Sequence, residues 1–114
     1  MIKVSVLYPN DPGARFDMEY YRDRHMPMVQ NRLGGACKGI AVEHGLGGAT
    51  PGSRPQFIAM GHVYVDSLEA FEAAFGQHGK EFMADVPNYT NLQPVIQISE
   101  VIVALEPVAA REHA

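Results

Sequence analysis

Apolar and polar residues alternate from the start of the chain. Ile2, Val4, Val6 and Tyr8 share one side, and Lys3, Ser5 and Leu7 the other, which predicts a strand over Ile2 to Tyr8. Pro9-Asn10-Asp11-Pro12-Gly13 is turn chemistry. The pattern then changes period. From Phe16 to Leu33, Met18, Tyr21, His25, Met28 and Val29 fall on one stripe at 100° per residue, with Asp17, Glu19, Asp23, Arg24 and Gln30 mostly off it. This predicts an amphipathic helix ended by Gly34-Gly35.

Pro27 interrupts that helix. It lacks an N–H, so the Asp23 carbonyl loses its helical partner, and Met26 is expected to leave the α region. Either the helix kinks, or it stops near Arg24 and restarts with Pro27 in a new first turn. Both put His25 near the carbonyl end of a helical segment and on the apolar stripe. Carbonyls favour a cationic ring and burial opposes it, so the group is one that can titrate near neutrality. A core histidine bonded to a carbonyl has the same pattern, and spacing alone does not separate the two.

Alternation returns over Cys37 to Leu46 and again over Gln56 to Val65, predicting second and third strands. Between them, Gly45 to Pro55 is too rich in glycine and proline for regular structure and reads as a mobile connection. Its glycines fit no phosphate-binding pattern. The third strand is apolar on both faces, which calls for cover on the side away from the helices, most simply by a second copy of the chain. Asp66-Ser67-Leu68-Glu69 has the look of a capping box. It opens a helix with Leu68, Phe71 and Phe75 inward, expected to stop at Gly76. Gly79 to Val86 reads as a separate short helix, and Pro94 to Leu105 as the last strand. The order β-α-β-β-α-β predicts an α+β, ferredoxin-like fold with a four-stranded antiparallel sheet. Residues 1–105 form the domain, and 106–114 a tail expected to fray.

Composition narrows the function classes. The chain of 114 residues is one domain, and a net charge of −4 without a basic cluster argues against nucleic acid or an anionic membrane as partner. Cys37 is the single cysteine, so an internal disulfide and a cysteine-based zinc site are excluded. No apolar run approaches the ~20 residues that span a bilayer. Met1-Ile2-Lys3 leads straight into a strand rather than a signal peptide, so the expectation is a cytoplasmic protein. His44, His62 and His78 lack an HxH or HExxH spacing, so no metal site is expected. Tyr8, Tyr20, Tyr21 and Tyr64 are candidates for a cavity wall, each able to give an apolar face and one hydrogen bond.

Three stretches together, IKVSVLYPNDPGARFDMEYYRDRHMP, FGQHGKEFMADVPNYTN and PVIQISEVI, resemble the EthD family, named for a protein linked to ethyl tert-butyl ether degradation. The resemblance covers Met1 to Leu105. It implies a dimeric α+β barrel, with two sheets packed across a two-fold axis and a cavity between helices and sheet in each subunit. In the wider superfamily such cavities host cofactor-independent oxygenation, lactone isomerisation, dehydration or cyclisation of polyketides, and haem breakdown. The family is sometimes labelled reductase, but no residue here supports nicotinamide or flavin binding, and no cofactor is expected.

Carried over by position, the resemblance marks His25 and Asp85, with Tyr89 and Thr90 nearby. Asp85 could fix the tautomer of His25 and strengthen its other nitrogen as a base; equally, it could cap the turn that follows it. The expectation is a small homodimeric protein holding a small hydrophobic or aromatic oxygenated ligand. His25 and Asp85 are the candidate catalytic pair, and Tyr8, Tyr21, Tyr64, Tyr89 and Thr90 the candidate binding residues. The competing expectation is a non-catalytic binding or accessory protein for a partner oxidase.

Overall fold

A computed structural model describes residues 1–105; the predicted tail lies outside the described residues. Four strands, β1 (Ile2–Pro9), β2 (Gly39–His44), β3 (Phe57–Val65) and β4 (Val95–Glu100), form one antiparallel sheet in the order β2-β3-β1-β4. Helices cover one face, which gives the expected ferredoxin-like α+β arrangement. Register fixes the faces, because directly paired residues point the same way. Val4 pairs with Val63 and Ile98, and Val6 with Gly61 and Ile96, so these residues lie under the helices. Ser5 pairs with His62 and Gln97 on the opposite face.

The last strand is shorter than its β-branched run predicts. β4 pairs only with β1, and the register reaches Ile2 opposite Glu100. Beyond that point a single bond remains, from Val101 N–H to the Met1 carbonyl (2.9 Å), because the partner strand has run out. The connection from β2 to β3 has no regular structure but is tied by a tight turn. Ser53 Oγ donates to the Thr50 carbonyl (2.6 Å) and accepts from Gly48 N–H (3.1 Å). Gly52, at φ +80°, supplies the left-handed conformation this turn needs.

Pro27 neither stops nor restarts the first helix. Asp17 caps it, accepting the Tyr20 N–H at 3.0 Å, and α1 (Met18–Tyr20) runs into a π-helical turn (Tyr21–His25) and on into α2 (Met26–Leu33). Met26 stays in the α region (φ −65°, ψ −38°) and its N–H bonds the Tyr21 carbonyl five residues back. The wide turn moves the helix frame around by one residue just before the proline. Consequently both His25 and Met26 are buried, followed by Val29 and Leu33, while Met28 is only half-buried.

The second helix does not stop at Gly76. α3 runs unbroken from Leu68 to Asp85, capped by Ser67 Oγ on the Ala70 N–H (3.1 Å). Glu69 stands at the second helical position rather than the third, one residue short of a reciprocal capping box. Leu68 is half-exposed rather than inward; Phe71, Phe75 and Phe82 carry the packing. Gly76 and Gly79 both lie within α3, and a Cβ at either would meet nothing within 4 Å. A 3-10 turn (Val86–Asn88) leads to Tyr89. No helix among the described residues is long and apolar enough to cross a membrane.

Candidate functional site

A cavity of about 420 Å³ lies between the helices and the sheet. Val4, Val6, Gly61 and Val63 floor it, α2 gives Met26 and Val29, and α3 gives Phe71, Phe75, Phe82 and Met83. Its size and apolar walls are those of a small-molecule site. At one end of it the rings of His25, Tyr8, Tyr21 and Tyr89 meet.

His25 comes from the π turn and Asp85 from the last residue of α3, two segments that cross above the same sheet face. His25 Nδ1 and Asp85 Oδ2 are 2.9 Å apart. A carboxylate can only accept, which assigns the proton to Nδ1 and leaves Nε2 with its lone pair. Burial lowers the His25 pKa below its ordinary value, and the bond to Asp85 offsets only part of this. The ring is therefore neutral near pH 7. Burial pushes Asp85 up, but hydrogen bonds from Asn88, His25 and Tyr20 outweigh it and hold the carboxyl below the usual range. Tyr20 Oη donates to Asp85 Oδ1 (2.7 Å), and Asn88 Nδ2 to the same oxygen (2.9 Å). Both sequence-derived readings of Asp85 are thus present in the geometry: it braces the turn after α3 and it bonds the imidazole.

The other ring nitrogen faces a set of phenols. Tyr89 Oη lies 3.5 Å from His25 Nε2 and 2.6 Å from Tyr8 Oη. Nε2 accepts, so the Tyr89 proton points toward it, and Tyr8 then donates to Tyr89. The Tyr21 ring packs edge-on against Tyr8 (centroids 5.5 Å) and stacks on His25 (centroids 5.4 Å, 13°). Burial raises the pKa of all three phenols, so they remain protonated donors.

The remaining sequence candidates lie elsewhere. Tyr64 is on the opposite face of the sheet, paired with Lys3, because β3 alternates and Val63 takes the cavity side. Thr90 does not line the cavity. Its hydroxyl donates to the Arg15 carbonyl (2.6 Å) and accepts from Leu92 N–H (3.1 Å), pinning the chain beside the Phe16–Thr90 bridge. Tyr20 sits outside, against Asp85 and Arg24. Two residues not singled out from the sequence also shape the site. A Cβ on Gly61 would overlap the Tyr21 hydroxyl, so only glycine lets that ring lie on the sheet. Phe16 packs edge-on against Tyr8 (4.9 Å), Tyr21 (5.1 Å) and Tyr89 (5.4 Å). A glycine on the covered face of a strand was the available signal for the first; Phe16 had none. Among the described residues, no three His, Cys, Asp or Glu side chains converge as a metal-ligand set.

With this geometry in hand, similarity to other proteins is specific. A crystal structure of an EthD-like protein from Ralstonia eutropha JMP134 matches with a TM-score of 0.85 at 55% identity, over 90% of this chain and 92% of that one. A crystal structure of an ethyl tert-butyl ether (EthD) family protein from Bacillus halodurans C-125 shares the fold, with a TM-score of 0.61 at 21% identity, over 90% and 99% of the two chains. An uncharacterized 11.0 kDa protein from the thcB-thcC intergenic region of Rhodococcus erythropolis is 33% identical over 94 residues, which is 80% of this chain and 85% of that one. Residues 14–93 match the profile of the EthD domain, and the chain belongs to the EthD family.

Proposed function

We propose that this EthD-family protein is an acid–base catalyst acting on a small hydrophobic or aromatic oxygenated metabolite, of isomerase, dehydratase or cofactor-free oxygenase type. His25 is the base and Asp85 the positioning residue that orients it. The observation that supports this most is the 2.9 Å contact of Nδ1 with Asp85, which leaves Nε2 as the free base of a histidine lining an apolar cavity. A positioned base of this kind contributes ~10²–10⁴-fold to proton transfer. A proton shift needs no bound cofactor. The protein works as a homodimer joined through the sheet face away from the helices, where Leu7 and Met60 are half-buried and Val95 is half-exposed without any cover from the chain itself.

The test is deuterium exchange at the α carbons of a small enolisable ketone, 2-tetralone, in D₂O. Wild-type protein is expected to accelerate exchange over buffer, and His25→Ala to lose that acceleration by about 10²-fold or more while still binding the ketone. Binding with no acceleration by the wild type contradicts a catalytic role and leaves a carrier.

A further inference from the structure

We propose that Tyr89 is the oxygen-binding residue of this site, and that the cavity therefore takes an enolisable ketone, whose carbonyl accepts from Tyr89 while His25 removes the neighbouring α proton. This rests on the reading of His25 as a base. It adds the substrate class and narrows the chemistry to a redox-neutral proton shift.

One link in an otherwise tight set of hydrogen bonds is slack. Tyr8 and Tyr89 are at 2.6 Å, and His25 and Asp85 at 2.9 Å, both good hydrogen bonds. The link between the two pairs, Tyr89 Oη to His25 Nε2, is 3.5 Å, at the edge of any useful interaction. Tyr8 already donates to Tyr89, so the Tyr89 proton is directed at a partner too far away to hold it well. Tyr89 is fully buried. It is a weakly held donor among the residues that line the apolar cavity.

The spacing also suits one functional group. In a ketone, the carbonyl oxygen and the α carbon are about 2.4 Å apart, from standard bond lengths. A donor and a base 3.5 Å apart can address those two atoms of one ligand together. The α C–H bond breaks and its proton goes to Nε2. The C–H electron pair becomes the new C=C bond, and the carbonyl π pair moves onto oxygen. Tyr89 donates a hydrogen bond to that oxygen and keeps its own proton. Return of the proton from the imidazolium to the same carbon, or to a conjugated one, completes the shift. Nothing is oxidised or reduced. Tyr8 is a positioning residue, since its proton on Tyr89 leaves the Tyr89 proton for the ligand.

The experiment compares 2-tetralone with tetralin, the same bicycle without the carbonyl, by calorimetric titration. Wild-type protein is expected to prefer the ketone by about five- to tenfold, the worth of one buried neutral hydrogen bond. Tyr89→Phe should bring the ratio to about one with tetralin affinity kept. The double variant Tyr8→Phe/Tyr89→Phe, which leaves no orphaned hydroxyl between the two rings, should do the same. An unchanged ratio in these variants, equal binding of the two probes by the wild type, or binding of neither probe overturns the proposal. The exchange assay separates the two ideas. If Tyr89→Phe keeps wild-type exchange and His25→Ala loses it, the base stands and the oxygen site falls. If the binding ratio behaves as expected but His25→Ala exchanges like wild type, the base falls and the oxygen site stands.

Discussion

At the scale of single residues, the site depends on which nitrogen of His25 carries the proton. Asp85 holds it on Nδ1 by accepting. In Asp85→Asn an amide N–H₂ can donate to Nδ1 instead, which moves the ring proton to Nε2 and removes the base from the cavity. Exchange catalysis is expected to fall by ~10²-fold or more without loss of fold, as when a histidine is held in the wrong tautomer. Acid has a related effect on stability. The folded His25 pKa lies below its unfolded value near 6.5, so between the two the unfolded chain binds a proton that the folded chain refuses. Stability is complete above about pH 6.5 and declines as pH drops toward the folded pKa. The lowered Asp85 pKa adds a second loss only below about pH 4. Thermal melts between pH 7 and 5 should show the first decline in the wild type and not in His25→Gln. Gly61 gives the steric counterpart: Gly61→Ala is expected to destabilise by ~1–3 kcal/mol in urea, because the buried Tyr21 ring must move.

At the scale of elements, the strands were legible because period-two alternation survives any packing arrangement, and β1 and β3 lie close to where the pattern puts them. The π turn was not, because a helical wheel assumes a constant 100° per residue and cannot see a local widening. The wheel still put Tyr21 and His25 on the buried stripe, since they open and close the wide turn and the shifted frame begins only at Met26. Tyr64 was misplaced for a different reason. Alternation separates it from Val63, but it does not say which face the helices will cover. The contact between His25 and Asp85 was suggested by family resemblance; their separation of 60 positions carries no local signal. Gly76 and Gly79 deceived by rule: a helix tolerates glycine at a cost of about 1 kcal/mol relative to alanine. A Cβ would meet nothing within 4 Å at either position. Gly76→Ala and Gly79→Ala should therefore each raise stability by ~0.5–1 kcal/mol. Only Gly79 lines the cavity. Gly79→Ala should thus weaken 2-tetralone binding while Gly76→Ala leaves it unchanged, a contrast that titration of both variants resolves.

At the scale of the whole molecule, the sheet separates two environments. The helix side encloses the cavity, while the far side carries Leu7, Met60 and Tyr64 around Ser5, His62 and Glu43. Those three side chains satisfy one another, with Ser5 Oγ at 2.8 Å from His62 Nδ1 and Glu43 Oε1 at 3.3 Å from Nε2. A buried Ser5–His62 pair bridged to an exposed Glu43 and ringed by apolar residues suits a surface that meets a second copy better than one facing water. Sedimentation velocity at micromolar concentration is expected to give a dimer, and Leu7→Glu a monomer that keeps its fold. A wild-type monomer at those concentrations would remove the paired sheets while leaving the cavity intact.

The most direct test of the central claim is ¹⁵N NMR of the His25 imidazole through a pH titration. The expected spectrum at pH 7 is a neutral ring protonated at Nδ1, with its midpoint below 6.5, and a switch of the ring proton to Nε2 in Asp85→Asn. A wild-type ring already protonated on Nε2, or charged at pH 7, would mean that no base faces the cavity.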